Sequence, residues 1–312
     1  MKIIPIRFVI LCTIILCTVF ILNRFFGRSK DLSLQHVRTK ELEFVASEYN
    51  GIISNIESDL FERSLHESGY VSYHMGVMFP WDKNVDHYKH LSDRAACVEF
   101  IHSMELSRSH YGFLFLNNPV KNSRILDAGC GAGVAAILMS KQFDCYVDGY
   151  TLGEKEAEYG KKIANAKHCS SKLRFLVGDM LHLPEQDDTY DAIWSSESAE
   201  YIKSLDDLFK EFKRVGKNNA RLVIFVTCSM SEKIKSHMDT VYNLKLQSVD
   251  NFLNSAGKYN FNLVHKQDLS DWVIPYWKFI AESKVPCGEQ DYVDAYPAGD
   301  LQYYLLCFDL KK

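Results

Sequence analysis

From residue 124 to residue 227 short β-rich runs alternate with helical stretches, and that alternation constrains the fold more than any other feature of the sequence. Strands are expected over Arg124–Ala128, Cys145–Tyr150, Leu173–Val177, Tyr190–Trp194 and Arg221–Thr227. Helices are expected from Val134, over Glu154–Lys167 and over Asp206–Val215. Strand–helix alternation of this period implies an α/β domain with a mainly parallel sheet covered on both faces. Such sheets bind ligands at the carboxyl ends of their strands, near the reversal in strand order. Upstream, Ala95, Val98, Ile101, Met104 and Leu106 recur at helical spacing between Leu91 and Phe115, with Ser92 as N-cap, until Asn117-Asn118-Pro119 breaks the pattern. The last strong apolar run, Gln302–Asp309, reads as a closing strand.

The sharpest local signal lies at the first of these strands: Ile125-Leu126-Asp127-Ala128-Gly129-Cys130-Gly131-Ala132-Gly133. An apolar strand enters a glycine turn and a helix leaves it. Gly129 and Gly131 let the backbone approach a ligand, and the helix start offers free N–H groups. A glycine run alone can serve a dinucleotide. Three acids narrow the choice. Asp127 precedes the first glycine, where a carboxylate meets a cationic group such as an ammonium. Asp148, twenty-one residues later, is read as the end of the next strand and suits a ribose diol. Asp179, followed by Met180, comes at the end of the third strand and can accept from an adenine amine.

The amino-terminal end carries a different message. Phe8 to Leu22 run without a charge, and Ile3–Ile6 extend the run to twenty mostly apolar residues interrupted by Pro5 and Arg7. That is about the ~20 residues of a helical membrane span. The exit, Asn23-Arg24-Phe25-Phe26-Gly27-Arg28, lacks a small-residue cleavage site, which favours a single-pass anchor over a cleaved signal peptide. Arg24, Arg28, Lys30, Arg38 and Lys40 follow the run, so basic residues are in excess on that side and point the body of the protein to the cytosol, with the endoplasmic reticulum as the expected membrane. Net charge is −4, but beyond residue 40 there are 29 basic and 39 acidic side chains. An acidic body excludes nucleic acid as the main partner. The nine cysteines show no C-x-x-C pair and no zinc-type quartet, as expected for reduced thiols. Residues 1–23 are thus read as an anchor in the lipid bilayer, 24–118 as a stalk and helical cap, and 119–312 as the ligand-binding core with C-terminal substrate elements.

The glycine loop and its three acids resemble those of class I S-adenosylmethionine (SAM) methyltransferases, which implies a Rossmann-like sheet and SAM as cofactor. A closer resemblance, over roughly residues 70–310, is to the prenyl diphosphate C-methyltransferases. It rests on Gly69-Tyr70 with His74 and Gly76, on Leu126–Gly131, and on Asp148-Gly149-Tyr150-Thr151-Leu152. It continues through Trp194-Ser195-Ser196-Glu197-Ser198, Pro275-Tyr276-Trp277, Ala295-Tyr296 and Leu301-Gln302-Tyr303. The implied reaction adds a methyl group to an alkene carbon, forms a tertiary carbocation and ends with removal of a proton. The resemblance implies that Glu197 is the base and that Tyr242 presents its ring to the cation. It further implies that Trp194, Tyr276, Trp277, Tyr296 and Tyr303 supply aromatic surface, and that Tyr73 and His74 line a diphosphate pocket. Mg²⁺ is expected to be held through the substrate diphosphate, with no protein ligands assigned.

The sequence also departs from that family. Its His-rich segment is here Ser72-Tyr73-His74-Met75-Gly76, and the two asparagines before its glutamate are Ser195 and Ser196. Isopentenyl, geranyl and farnesyl diphosphate all remain open as acceptors. Two rival readings remain. One is a C-methyltransferase of sterol side chains, or another membrane-associated SAM enzyme; the other is a catalytically silent SAM-fold interaction protein.

Overall fold

A computed structural model describes residues 76–79, 94–117, 119, 121–282 and 290–312. In sequence order the elements are α1 Arg94–Phe113, β1 Arg124–Ala128, α2 Val134–Phe143, β2 Tyr146–Thr151, α3 Glu154–Ala166, β3 Leu173–Val177 and β4 Tyr190–Ser196. Then come α4 Leu205–Val215, β5 Gly216–Ser229, α5 Glu232–Tyr242, α6 Val249–Lys258, β6 Phe261–Asp268, α7 Ser270–Glu282, α8 Gln290–Ala298 and β7 Leu301–Leu310. The seven strands form one sheet in the order β3-β2-β1-β4-β5-β7-β6. β3, β2, β1, β4 and β5 are parallel, while β7 runs antiparallel to both β5 and β6. This is the Rossmann-like α/β sheet expected. The order reverses between β1 and β4, so the crevice for a ligand opens at their carboxyl ends.

The elements form where the residue pattern demands them. α4 shows the logic clearly: the Ser204 hydroxyl accepts from the Asp207 N–H at 3.2 Å, acids occupy the first turn and Lys213 and Arg214 the last. Cap and charges complement the helix dipole. Its apolar face, Leu205, Leu208, Phe209, Phe212 and Val215, is buried against one side of the sheet with Leu126, Ile193, Leu222 and Phe308. The other side packs Ile125, Val147, Trp194, Val223 and Phe225 beneath Phe113, Ile137 and Ile163. Cys130, Cys145, Cys228 and Cys307 are buried free thiols, and Cys169 is a half-buried one.

β5 runs longer than expected, since it begins directly at the end of α4, and β4 continues to Ser196. β6 is absent from the sequence reading because it is an edge strand whose exposed positions carry no apolar alternation. Pro275 and Pro297 lie inside α7 and α8, where proline argues against a helix. Among the described residues no helix is long and apolar enough to cross a membrane. The apolar run of residues 3–22 lies outside them, as do Ser92 and the proposed stalk.

Candidate active site

The glycine loop sits at the carboxyl end of β1. Asp127, 2% exposed, is paired in register with Gly149 on one side and Trp194 on the other. The Gly129 and Cys130 N–H groups both donate to the Tyr150 carbonyl, at 2.9 and 2.8 Å, and fold the loop back over β2. Gly129, Gly131 and Gly133 all have left-handed φ values, of 78°, 50° and 82°. Any side chain there would be strained, and a Cβ on Gly129 would also overlap Ser198. Ser198 in turn donates to the Ala128 carbonyl at 2.7 Å and pairs with the Ser195 hydroxyl at 2.9 Å. These bonds stitch the glycine loop to the segment that carries Glu197.

Asp179 follows β3 at the same edge of the sheet, its carboxylate accepting from the Leu181 N–H at 2.9 Å. The Met180 methyl lies 3.4 Å from where a Gly129 Cβ would stand. Asp127, Gly129, Gly131, Asp179 and Met180 therefore come together. The donor set fits SAM: a carboxylate for the amino group, a stretch of backbone free of side chains, a strand-end acid and an apolar thioether. Those residues would hold it.

Asp148 does not join them, and its placement corrects the reading of a strand-end ribose acid. It is paired with Leu126, three residues before β2 ends. Its oxygens accept from Arg174 at 2.5 and 2.7 Å, from Arg124 at 2.7 Å and from the Tyr190 hydroxyl at 3.1 Å. Burial opposes its charge, but Arg174 and Arg124 outweigh burial and hold the carboxyl below the ordinary carboxylate range. The strand-end position belongs to Thr151, whose hydroxyl donates to the buried Glu156 and accepts from the Gly153 N–H at 3.2 Å. A threonine gives no acid signal in a sequence, so the nearest aspartate stands out in its place.

Glu197 stands just past β4 with φ 52°, a left-handed conformation rare for a residue with a Cβ, and its N–H is tied to the Phe225 carbonyl at 3.0 Å. Strain of this kind concentrates at functional sites. Its carboxylate is ion-paired with Arg108 and accepts from the Tyr303 hydroxyl. Arg108 is fully buried, reaches Tyr303 at 3.3 Å and lies 5.5 Å above the Phe225 ring. Sequence reasoning missed Arg108. Its signal was its place on the buried stripe of α1, four residues after Met104 and four before Gly112.

The aromatic residues separate into two groups. Tyr276, Trp277, Tyr292 and Tyr296 form a ladder with ring centroids 5.2, 4.7 and 6.3 Å apart, and Tyr296 shares a 3.0 Å hydrogen bond with Thr227. Tyr292 is a further member that the sequence reading lacked. Tyr242 stands beside an inner rung of the ladder, 5.6 Å from Tyr292, with its hydroxyl donating to Asp291 at 3.0 Å. Trp194 is elsewhere: it is wholly buried between Phe113 and Phe225, at 5.1 and 5.6 Å. That corrects its reading as substrate surface, since it is packing that supports Phe225. Tyr73 and His74 lie outside the described residues, although Gly76 just after them sits against the Tyr276 ring so closely that a Cβ would overlap it. Among the described residues no group of three or more His, Cys, Asp or Glu can hold a metal ion.

The sheet order and the glycine loop with Asp127 and Asp179 resemble those of class I SAM-dependent methyltransferases, and residues 126–224 match the family model described as a methyltransferase domain. Among curated proteins the sequence resembles geranyl diphosphate 2-C-methyltransferase. It is 26% identical to that of Saccharopolyspora erythraea over 274 residues, covering 85% of this protein and 95% of the relative. It is 26% identical to that of Streptomyces lasalocidi over 221 residues, covering 69% and 73%. The solved geranyl diphosphate C-methyltransferase of Streptomyces coelicolor, in complex with Mg²⁺, geranyl diphosphate and S-adenosyl-L-homocysteine, superposes with a TM-score of 0.76 at 23% identity. That match covers 87% of this protein and 98% of the other, a likeness of fold.

Proposed function

We propose that the protein methylates an alkene carbon of an isoprenyl diphosphate and that Glu197 removes the proton that restores a double bond. SAM, when bound, supplies an electrophilic methyl group. The observation that carries the reading is the placement of Glu197. It is a strained carboxylate, 12% exposed, beside the cofactor loop and held by a buried guanidinium and a tyrosine hydroxyl. A proton next to a carbocation is strongly acidic, so its acceptor must be ionised rather than strongly basic. Arg108 supplies the countercharge that favours the ionised form. The Tyr276–Trp277–Tyr292–Tyr296 ladder offers π faces to a cation and no strong nucleophile to trap it, while Phe225 and Tyr303 are wholly buried and pack behind the Glu197–Arg108 pair.

The diphosphate acceptor comes from the named relatives and from the tail motifs at Tyr276, Tyr296 and Tyr303. Geranyl, isopentenyl and farnesyl diphosphates are all candidates. Mg²⁺ would be carried by the diphosphate, in keeping with an acidic body. On the sequence of residues 1–40 the enzyme is a single-pass protein of the endoplasmic reticulum membrane with its catalytic part in the cytosol. The experiment for the base is Glu197→Gln. The variant is expected to bind SAM and to lose about 10²–10⁴-fold in turnover, the usual scale of a general base. Full turnover with SAM bound would remove Glu197 from that role.

A further inference from the structure

A second carboxyl group lies beside Glu197, and nothing in the proposed reaction uses it. Glu200 is on the short 3₁₀ turn Ala199–Tyr201 and is 4% exposed. Two contacts pin the turn: the Lys245 N–H donates to the Glu200 carbonyl at 2.6 Å, and the Thr227 N–H donates to the Glu200 carboxyl oxygen Oε1, at 2.8 Å. Its other oxygen, Oε2, is buried and has no hydrogen-bond partner among the described residues.

One N–H bond is too little for a buried carboxylate, which needs a countercharge or several donors. The countercharge nearby is committed, because Arg108 pairs with Glu197 and reaches Tyr303. The groups facing Glu200 can be named from each side. Glu197 comes from its own segment, Arg108 from α1, Thr227 and Cys228 from β5, and Tyr292 and Tyr296 from α8. Burial raises the Cys228 thiol and both tyrosine hydroxyls, so they stay neutral at neutral pH. The charged neighbours are then one guanidinium and one carboxylate, which already balance. A neutral acid satisfies this setting: Oε1 accepts from Thr227 and the Oε2 hydroxyl is a free donor.

We propose that Glu200 is a positioning residue of this site that works as a neutral acid, leaving the charges of Arg108 and Glu197 balanced so that the pocket accepts an anionic acceptor. The proposal deepens the isoprenyl diphosphate reading and rests on it for the acceptor's charge. Burial first, and Glu197 second, push the Glu200 carboxyl up to about 8, against the pull of Arg108 and backbone N–H groups. Through that range ionisation adds a second, uncompensated negative charge beside Glu197, which disfavours binding of a diphosphate.

Infrared difference spectra of the full-length protein in detergent, between about pH 6 and about pH 10, test the charge state without any acceptor. A buried protonated-carboxyl C=O band is expected in the wild type at the lower pH, lost at the higher, and absent from Glu200→Gln. The second measurement is the pH profile of kcat/KM for the acceptor. It is expected to fall about threefold to tenfold as Glu200 ionises, mainly through KM, and the alkaline limb is expected to vanish in Glu200→Gln. Where Glu200→Gln does not fold, Glu200→Met, of similar length and uncharged, takes its place. Absence of the band from the wild type overturns the proposal. So does a limb that persists in the folded variant, and so does a folded, SAM-binding Glu200→Gln without activity, which would mean that the ionised form is required. The spectra decide the charge state of Glu200 even where no isoprenyl diphosphate is methylated, so the two readings fail separately.

Discussion

Glu197, Arg108 and Tyr303 come from places 89 and 106 residues apart in the sequence, yet they meet at a single carboxylate oxygen. At the scale of the residue, Glu197 was legible because a short motif, Trp194-Ser195-Ser196-Glu197-Ser198, surrounds it. Arg108 was not, because a charge on a helical stretch is usually a solvated one, and only the packed α1 shows that this one faces inward. Asp148 misled for the complementary reason: it is an acid at plausible spacing, but register pairs it with Leu126 and the true strand end is Thr151. Glycines are less ambiguous. Gly129 is needed twice over, for its left-handed φ and for its contact with Ser198. Gly129→Ala is therefore expected to weaken SAM binding by at least about tenfold, a penalty on the ~1–3 kcal/mol scale of forced backbone strain. Isothermal titration with SAM measures it, and wild-type affinity would show that the loop tolerates a side chain.

At the scale of the element, Asp148 holds together β1, β2 and β3, since Arg124 and Arg174 reach it from the two flanking strands. Both arginines are partly solvated, so the clasp is worth less than the ~3–5 kcal/mol lost on breaking a fully buried pair. Asp148→Asn is expected to cost about 2 kcal/mol in urea denaturation and to leave the fold intact. The pH dependence has a definite sign. A carboxyl lowered in the folded state stabilises above its unfolded value near 3.8 and loses that stabilisation as pH falls through the lower folded value. The wild type should therefore lose its advantage over Asp148→Asn only in acid, and an advantage independent of pH would point to packing instead. The strands of the parallel half were legible from apolar runs and turns, because both their faces are buried. β6, α7 and α8 were not, because an exposed edge and internal prolines carry the opposite local signal.

At the scale of the whole molecule, two cores on opposite faces of the sheet hold the crevice at β1 and β4 in place. The Glu197 centre and the Tyr276–Trp277–Tyr292–Tyr296 ladder come from β4, α1, β7, α7 and α8, so the site closes only when the C-terminal strand is in the sheet. The uneven spread of charge along the sequence has a place in the same account: a basic amino-terminal end proposed to meet the bilayer, and an acidic body proposed to take a metal-bridged diphosphate. The most direct test is transfer of an isotopically labelled methyl group from SAM by the full-length protein in detergent, offered isopentenyl, geranyl and farnesyl diphosphate with and without Mg²⁺. The account predicts Mg²⁺-dependent label in at least one of the three, as a singly C-methylated product that keeps its number of double bonds. SAM binding with turnover of sterols, and none of any isoprenyl diphosphate, would contradict it.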